Sequence, residues 1–401
     1  MSPVLPFDII TVIIDIVGEN KDTDLLKELA LVSHSFLHIC REHLFATVEL
    51  HDSGRFVDSR KIAFVELLES SPDVVKYIRK LTYIISRNYG FTYDYDRLLS
   101  VIFLDSFPKI SRLNCLAISA ANLNWNKLDS SVTSALIRLM HLPTINHIDL
   151  SYIQYFPLFS LTLSVNLHRL DISHLKLYNP HEDDFSEIVV EMIPKIREFH
   201  TSGSSQVTTK LLDAERQDGQ PAFNFMDLKR LSMTLDGFVN KRNIEYLFQN
   251  AKLLEELHLS VVHGTSLVGI LSLSVRSLKV LDLSAVPLRD EGTFVILGGI
   301  CEELEALAGQ NMLETLSLEV RVSSRRTEDF VGYTIQQLEK VLVKPGWSML
   351  RQVSLKVSIM RPTSTISQTL CETLQSLPDK YLSHLSNLES VAFDYSVYGA
   401  D

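Results

Sequence analysis

The chain has 401 residues, of which 46% are hydrophobic and 22% are charged, and its formal net charge at pH 7 is −11. An acidic chain lacks the basic face that nucleic acids and anionic membranes require, so we expect neither as a main partner. It contains no apolar run near the roughly 20 residues that span a bilayer, and no recognisable signal peptide, so we expect a cytoplasmic or nuclear protein.

The cysteines are few and scattered along the chain. They are Cys40, Cys115, Cys301 and Cys371. No two of them are close enough in sequence to suggest a zinc site or a dense disulfide framework. We therefore expect a reducing compartment.

Three short amphipathic helices are predicted within residues 1–50. Their apolar positions are Ile9, Ile13 and Val17 in the first helix, Leu25, Leu29 and Val32 in the second, and Phe36, Cys40 and Leu44 in the third. Gly18 is expected to end the first helix. A unit this small does not usually hold a fold by itself, so we expect another surface to cover its apolar faces.

The same segment resembles a known docking module. Leu5-Pro6 at its start and Val32-Ser33-His34-Ser35-Phe36 further on are similar in type and order to the F-box, which joins substrate receptors to cullin-RING ubiquitin ligases. Asp8, Ser33 and Phe36 stand where that family often has Glu, Cys and Trp. The resemblance implies binding to a Skp-type adaptor, and through it to a cullin scaffold. The implied adaptor contacts are Leu5, Pro6, Ile9, Ile13, Leu25, Leu29, Val32 and Phe36.

A helical connection is expected over residues 51–75, and one apolar phrase then recurs through residues 76–401. The phrase is an apolar residue, two others, an apolar residue, one other and an apolar residue. Eleven copies begin at Ile78, Leu113, Ile145, Leu167, Ile196, Leu228, Leu254, Leu278, Leu313, Leu350 and Leu388. The end of each phrase alternates with the period of a half-buried strand.

Amphipathic helical stretches lie between copies, for example Ile335, Leu338 and Leu342. Alternating strands and helices at such a phrase are the signature of leucine-rich repeats. We therefore predict an α/β fold in which an irregular solenoid follows the three helices, with a curved parallel sheet inside and helices on the convex side. The irregularity is expected because the steps vary from 22 residues (145 to 167) to 38 residues (350 to 388).

A polar surface is predicted on the concave side of the sheet. Side chains beside and between the last two apolar positions of a phrase must point away from the core. The candidate target contacts there are His147, Asp149, Arg169, Asp171, His200, His258 and Asp282. For any one of them taken alone, an ordinary solvated strand residue is the better interpretation.

No motif in the sequence predicts a catalytic, cofactor or metal site. His34 and His38 are four residues apart but have no third ligand nearby, and no spacing selects a catalytic triad. We therefore expect no enzyme and no cofactor. The predicted function is that of a substrate-recognition subunit of an SCF-type ubiquitin ligase, which binds an unknown target protein. The alternatives are a leucine-rich-repeat scaffold or inhibitor whose first helices only cap the solenoid, and an enzyme with an unrecognised site.

Overall fold

The computed structural model describes residues 6–52, 59–85, 112–177, 192–235, 241–262, 269, 271, 277–286, 300–309, 311–322, 328–360, 366–388 and 390–400. By its internal contacts the chain divides into two compact units, residues 1–194 and 195–401. Leu5, one of the implied adaptor contacts, lies outside the described residues.

The first unit begins with three helices and continues as a parallel sheet. The helices are α1 (Phe7–Glu19), α2 (Thr23–Ala30), α3 (His34–Leu44), α4 (Ser59–Ser70) and α5 (Ser130–Met140). The strands are β1 (Thr47–Asp52), β2 (Lys80–Ile85), β3 (Cys115–Asn124), β4 (His147–Gln154) and β5 (Arg169–Ser173). Strands β2 to β5 each pair in parallel with the strand that precedes them in the sequence.

The second unit repeats the same arrangement. Its strands are β6 (Glu198–Ser202), β7 (Arg230–Leu235), β8 (Glu256–Val262), β9 (Val280–Val286), β10 (Thr315–Val322), β11 (Gln352–Met360) and β12 (Ala392–Ala400). Its helices are α6 (Ser205–Leu212), α7 (Lys241–Asn250), α8 (Ile300–Leu307), α9 (Glu328–Leu342), α10 (Ile366–Gln375), α11 (Leu377–Tyr381) and α12 (Ser383–Ser386). Successive strands are again parallel neighbours.

The predicted α/β class with a parallel sheet is confirmed. A strand overlaps every predicted phrase, and apolar positions of the phrases point into the core: Leu116 and Ile118 of β3, for instance, are fully buried. The helical stripes are also buried, as Ile335, Leu338 and Leu342 of α9 show. Burial of both sets on one side of the strands produces the core of each unit.

One copy of the phrase was missed in the sequence. Strand β1 is in register with β2, with Val48 opposite Leu81 and Leu50 opposite Tyr83. Phe45-x-x-Val48-x-Leu50 is therefore a complete phrase, although residues 1–50 were all attributed to the helical module. The sheet accordingly begins directly after α3.

The last predicted phrase was placed two residues too early. Phe393 pairs with Val353, and Tyr395 pairs with Leu355, so the strand uses Phe393 and Tyr395 instead of Val391 and Phe393. A shift of two residues keeps the same side chains on the same face of a strand. Alternation alone could not distinguish the two registers.

The sequence predicted that Gly18 would end the first helix, and this prediction is wrong. Helix α1 continues through this glycine to Glu19. A Cβ atom at position 18 would collide with the imidazole ring of His43 in α3. The glycine is therefore needed for the close approach of two helices, and not for a turn.

Candidate interaction surfaces

Helices α1, α2 and α3 form a module with a small core of its own. Ile14, Leu26 and Cys40, one from each helix, are almost completely buried together. The side chains packed around them are Ile10, Val17, Leu29, Ala30, Phe36, Ile39 and Leu44. Among the implied adaptor contacts, Leu29 and Phe36 thus belong to this packing layer.

Helix α1 is apolar on two faces. Ile10, Ile14 and Val17 point to the core of the module. A second stripe with the helical spacing i, i+3, i+4, i+7 points outward, and its Ile13 is 46% exposed although the adjacent Ile14 is only 1% exposed. The outer stripe consists of Ile9, Val12, Ile13 and Ile16.

Further apolar side chains of the module are exposed on and around α1 and α2. Leu31 is 87% exposed and Val32 is 64% exposed, directly after α2. We define the exposed apolar set as Phe7, Ile9, Val12, Ile13, Ile16, Leu25, Leu31 and Val32. Of the implied adaptor contacts, Ile9, Ile13, Leu25 and Val32 belong to this set, and Pro6 is exposed beside it. Phe7, Val12, Ile16 and Leu31 were not predicted, although the helical spacing from Ile9 could have indicated Val12 and Ile16.

The module is attached to the first unit's sheet through α3. The His38 ring packs edge-on against Tyr77, with ring centroids 5.5 Å apart. Arg79 donates to the Glu42 carboxylate at 3.3 Å, and the carbonyl of Ala46 accepts from the backbone N–H of Lys80. These contacts lie on α3 and just beyond it, so they leave the outward stripe of α1 uncovered.

In the first unit, the predicted polar residues lie side by side and bind one another. His147 pairs with Arg169 across β4 and β5, and Asp149 pairs with Asp171. His147 Nε2 is 2.8 Å from Asp171 Oδ2, and Arg169 Nη2 donates to the same oxygen at 3.0 Å. Asp149 accepts a hydrogen bond from Ser151 Oγ at 3.1 Å. Asp171 is therefore neutralised by its neighbours.

His147 also contacts a cysteine. Its Nδ1 is 3.2 Å from Sγ of Cys115, which occupies the opposite position on β3. Partial burial disfavours the charged ring, but hydrogen bonds to Asp171 and to Cys115 favour it more strongly, and the net effect raises the pKa of His147 to about 9. At neutral pH the ring is an imidazolium that connects the sulfur to the carboxylate.

In the second unit, the predicted residues are also paired. His258 Nδ1 lies 3.2 Å from Asp282 Oδ2 on the neighbouring strand. This hydrogen bond raises the pKa of His258 and lowers that of Asp282. His200 is half-buried on β6, opposite Ser232 of β7, and makes no described contact with His258 or Asp282.

A ladder of charges crosses the same strands, formed by residues of the polar face that were not among the candidate target contacts. Arg230 on β7 is 3.1 Å from the carboxylates of both Glu198 on β6 and Glu256 on β8. The hydrogen bond to Glu256 and the charges of both acids raise the pKa of Arg230. In both units, the polar surface of the strands therefore consists mainly of groups that satisfy one another.

The structure also bears on metal and membrane sites. Within the part of the chain that it describes, no group of three or more His, Cys, Asp or Glu side chains could hold a metal ion.

Among the described helices, none has both the length and the apolar character that crossing a membrane requires.

Comparison with known proteins adds no family to these observations. No protein-family model matches the chain, and a search of curated proteins finds no significant match.

Proposed function

We propose that the protein is a substrate-recognition subunit of an SCF-type ubiquitin ligase. In this proposal, α1–α3 are an F-box module that docks on a Skp-type adaptor, and the strands and helices that follow are an irregular, curved leucine-rich-repeat solenoid that binds a target protein. The protein would then act as a bridge, since it would raise the effective concentration of the target near the ubiquitin-charged enzyme. The proposal assigns no chemical step to the chain itself.

The observation that carries the proposal is the outward stripe of α1. A helix that only capped a sheet would need one apolar face, but α1 has a second one, with Ile13 and Val12 about half exposed. Clustered exposed apolar side chains of this kind are typical of protein-binding surfaces. The resemblance of the segment to the F-box indicates that the expected partner is a Skp-type adaptor.

The attachment through α3 favours docking over capping. His38 and Glu42 connect α3 to Tyr77 and Arg79 at the start of the sheet. The capping function is thus performed by one side of the module, and the α1 stripe remains available to a partner.

The target surface is proposed on the polar side of the strands. Parallel strands in sequential order place their outward side chains in rows, which is how repeat proteins build extended binding surfaces. Because Asp171 and Asp282 are already bound by histidines, Asp149 is the more suitable position for a test. The hydrogen bond described for Asp149 comes from Ser151, two residues away on the same strand.

The decisive experiment measures capture of a purified Skp-type adaptor by the full-length chain. In the double variant Ile9→Asp, Ile13→Asp, two exposed apolar side chains become charged. We expect binding to weaken by about 2 kcal/mol or more, which is typical for loss of an interface anchor. The matched control is Met312→Asp, Tyr333→Asp, which changes two exposed apolar side chains of the second unit.

The outcomes separate the proposal from its alternative. Adaptor binding that is lost in the α1 variant and kept in the control supports docking. Equal binding by both variants, with unchanged circular dichroism, contradicts the proposal. Loss of the cooperative melting of the sheet in the α1 variant would instead favour a scaffold whose first helices act as a cap.

A further inference from the structure

Cys115 is part of a constellation that differs from the surroundings of the other cysteines. Its sulfur is 3.2 Å from one ring nitrogen of His147, and the other ring nitrogen is 2.8 Å from the carboxylate of Asp171. The three residues come from the consecutive strands β3, β4 and β5. A thiol, an imidazole and a carboxylate in this order form the arrangement by which proteins activate a cysteine nucleophile.

The carboxylate itself is held in place. Arg169 donates to Asp171 through Nε and Nη2, at 3.1 and 3.0 Å. Asp171 therefore cannot turn away from the ring without losing two further hydrogen bonds. The orientation of the imidazole is fixed from the side opposite the sulfur.

The other cysteines have different surroundings. Cys40 is fully buried in the core of the helical module, and its burial raises the pKa of the thiol. On α8, burial together with the charges of Glu302 and Glu305 raises the pKa of Cys301 to about 11. Cys371 on α10 is partly exposed. Among the hydrogen bonds described for the chain, Cys115 is the cysteine whose sulfur contacts a histidine ring.

We propose that Cys115 is a nucleophilic thiol and a site of thiol–disulfide exchange with small-molecule disulfides. His147 stabilises the charge on its sulfur, and Asp171 acts as a positioning residue. Cys115 is only 7% exposed, so the reagent must be small and must approach from the polar side of the strands. This proposal does not depend on adaptor binding or on ubiquitination.

The exchange is balanced in atoms and electrons. The Cys115 thiol loses its proton to water, and its sulfur attacks one sulfur of the disulfide. A new S–S bond forms to Cys115 while the original S–S bond breaks. The departing thiolate takes up a proton from water, so the disulfide is the oxidant and one of its halves leaves as a thiol.

The charges around the sulfur favour this step. His147 is an imidazolium at neutral pH because hydrogen bonds to Asp171 and Cys115 outweigh the effect of its burial on its pKa. It therefore has a proton on Nδ1 to donate to the sulfur as negative charge develops there. The other charged neighbours on the packed strands are Lys80 on β2, opposite Cys115, Asp149 on β4 and Arg169 on β5.

The test uses the intact chain and dithiodipyridine as the disulfide probe. Release of thiopyridone is followed by absorbance, and the modified cysteine is identified by peptide mass. We expect one thiol to react at least about tenfold faster than the others, and that thiol to be Cys115. Cys115→Ser should abolish this fast phase, and the matched control Cys301→Ser should retain it.

The role of the neighbours is tested by His147→Gln and Asp171→Asn. We expect the fast phase to slow by about tenfold in the first variant and by a smaller factor in the second. Folding of each variant is checked by circular dichroism. If a variant unfolds, the unmodified chain decides, because Cys115 must react faster than Cys301 and Cys371 under the same conditions.

Two results would overturn the proposal. One is a folded chain in which Cys115 reacts no faster than Cys301 or Cys371. The other is a folded His147→Gln variant in which Cys115 reacts as fast as it does in the unmodified chain.

Discussion

The outward side chains of the helical module and those of the strands differ in whether they already have binding partners within the chain. On α1, the outward residues are apolar and leave their surface to water, as Ile13 and Val12 show. On β4 and β5, the outward residues are charged but bind each other, as His147 and Asp171 show. The first surface gains free energy when a partner covers it, because apolar area is removed from water. The second gains free energy only from a partner that offers polar groups in exchange, because such a partner must compete with hydrogen bonds that already exist.

The comparison is sharpest between two adjacent isoleucines of α1. Ile14→Ala should lower the stability of the module by about 2–4 kcal/mol, because a buried side chain is replaced by a cavity. Ile13→Ala should lower it by less than about 0.5 kcal/mol, because its side chain is half exposed. Amide hydrogen exchange in α1–α3 measures both effects. Equal protection in the two variants would mean that the inner and outer faces of α1 are not distinct.

The pairing on the strands can be broken by one isosteric change. Asp171→Asn should destabilise the first unit by about 1–3 kcal/mol, because it leaves Arg169 and the imidazolium of His147 without their shared anion. Asp149→Asn is the matched control and should cost less than about 0.5 kcal/mol. Denaturant titration followed by circular dichroism gives both values. A control as destabilised as Asp171→Asn would show that the pairing is not the cause.

A pH titration sharpens the same point. The folded-state pKa of His147 is raised to about 9, above the value of about 6.5 expected for an unfolded chain. The contribution of the charged ring to stability is therefore fully present below pH 6.5 and is lost as the pH rises towards 9. We expect the difference in melting temperature between the unmodified chain and His147→Gln to shrink over this interval. A difference that grew with pH would contradict the assigned sign.

The smallest effect is expected at Arg230. Its ion pairs with Glu198 and Glu256 are partly exposed, and exposed pairs contribute about 0–1 kcal/mol. Arg230→Met should therefore change stability only slightly, and the remaining difference should decrease in high salt. A loss of several kcal/mol would indicate that this ladder, and not the apolar core, holds β6 to β8 together.

The fold class could be predicted because the phrase is repeated and its period is that of a strand. The same periodicity failed at two places. Phe45, Val48 and Leu50 were overlooked because they follow directly on a helix, and the last phrase was shifted because steps of two residues are equivalent on a strand. Gly18 was misinterpreted for a different reason: its role depends on His43, which is 25 positions away in the sequence.

The candidate surfaces were predicted less completely than the fold. The apolar positions of α1 are visible in the sequence, but which stripe faces the core depends on Leu26 and Cys40, which lie on other helices. The contacts of Cys115 with His147, and of His147 with Asp171, join positions more than 20 residues apart. Equal positions of neighbouring phrases do pair in the sheet, but the side-chain rotamer that brings the His147 ring to both Cys115 and Asp171 is not specified by the pattern.

The sequential order of the strands has a consequence for how such a chain can change in evolution. Within each unit, a new strand-and-helix segment inserted between two copies would pair only with its immediate neighbours, so that existing pairings elsewhere need not be rebuilt. The uneven steps between copies are consistent with growth by such insertions and with tolerance of long connections. The helical module has no comparable freedom, because Ile14, Leu26 and Cys40 bring all three helices into one core. The strand surface can therefore diversify by lengthening, whereas the helical surface can diversify only by substitution.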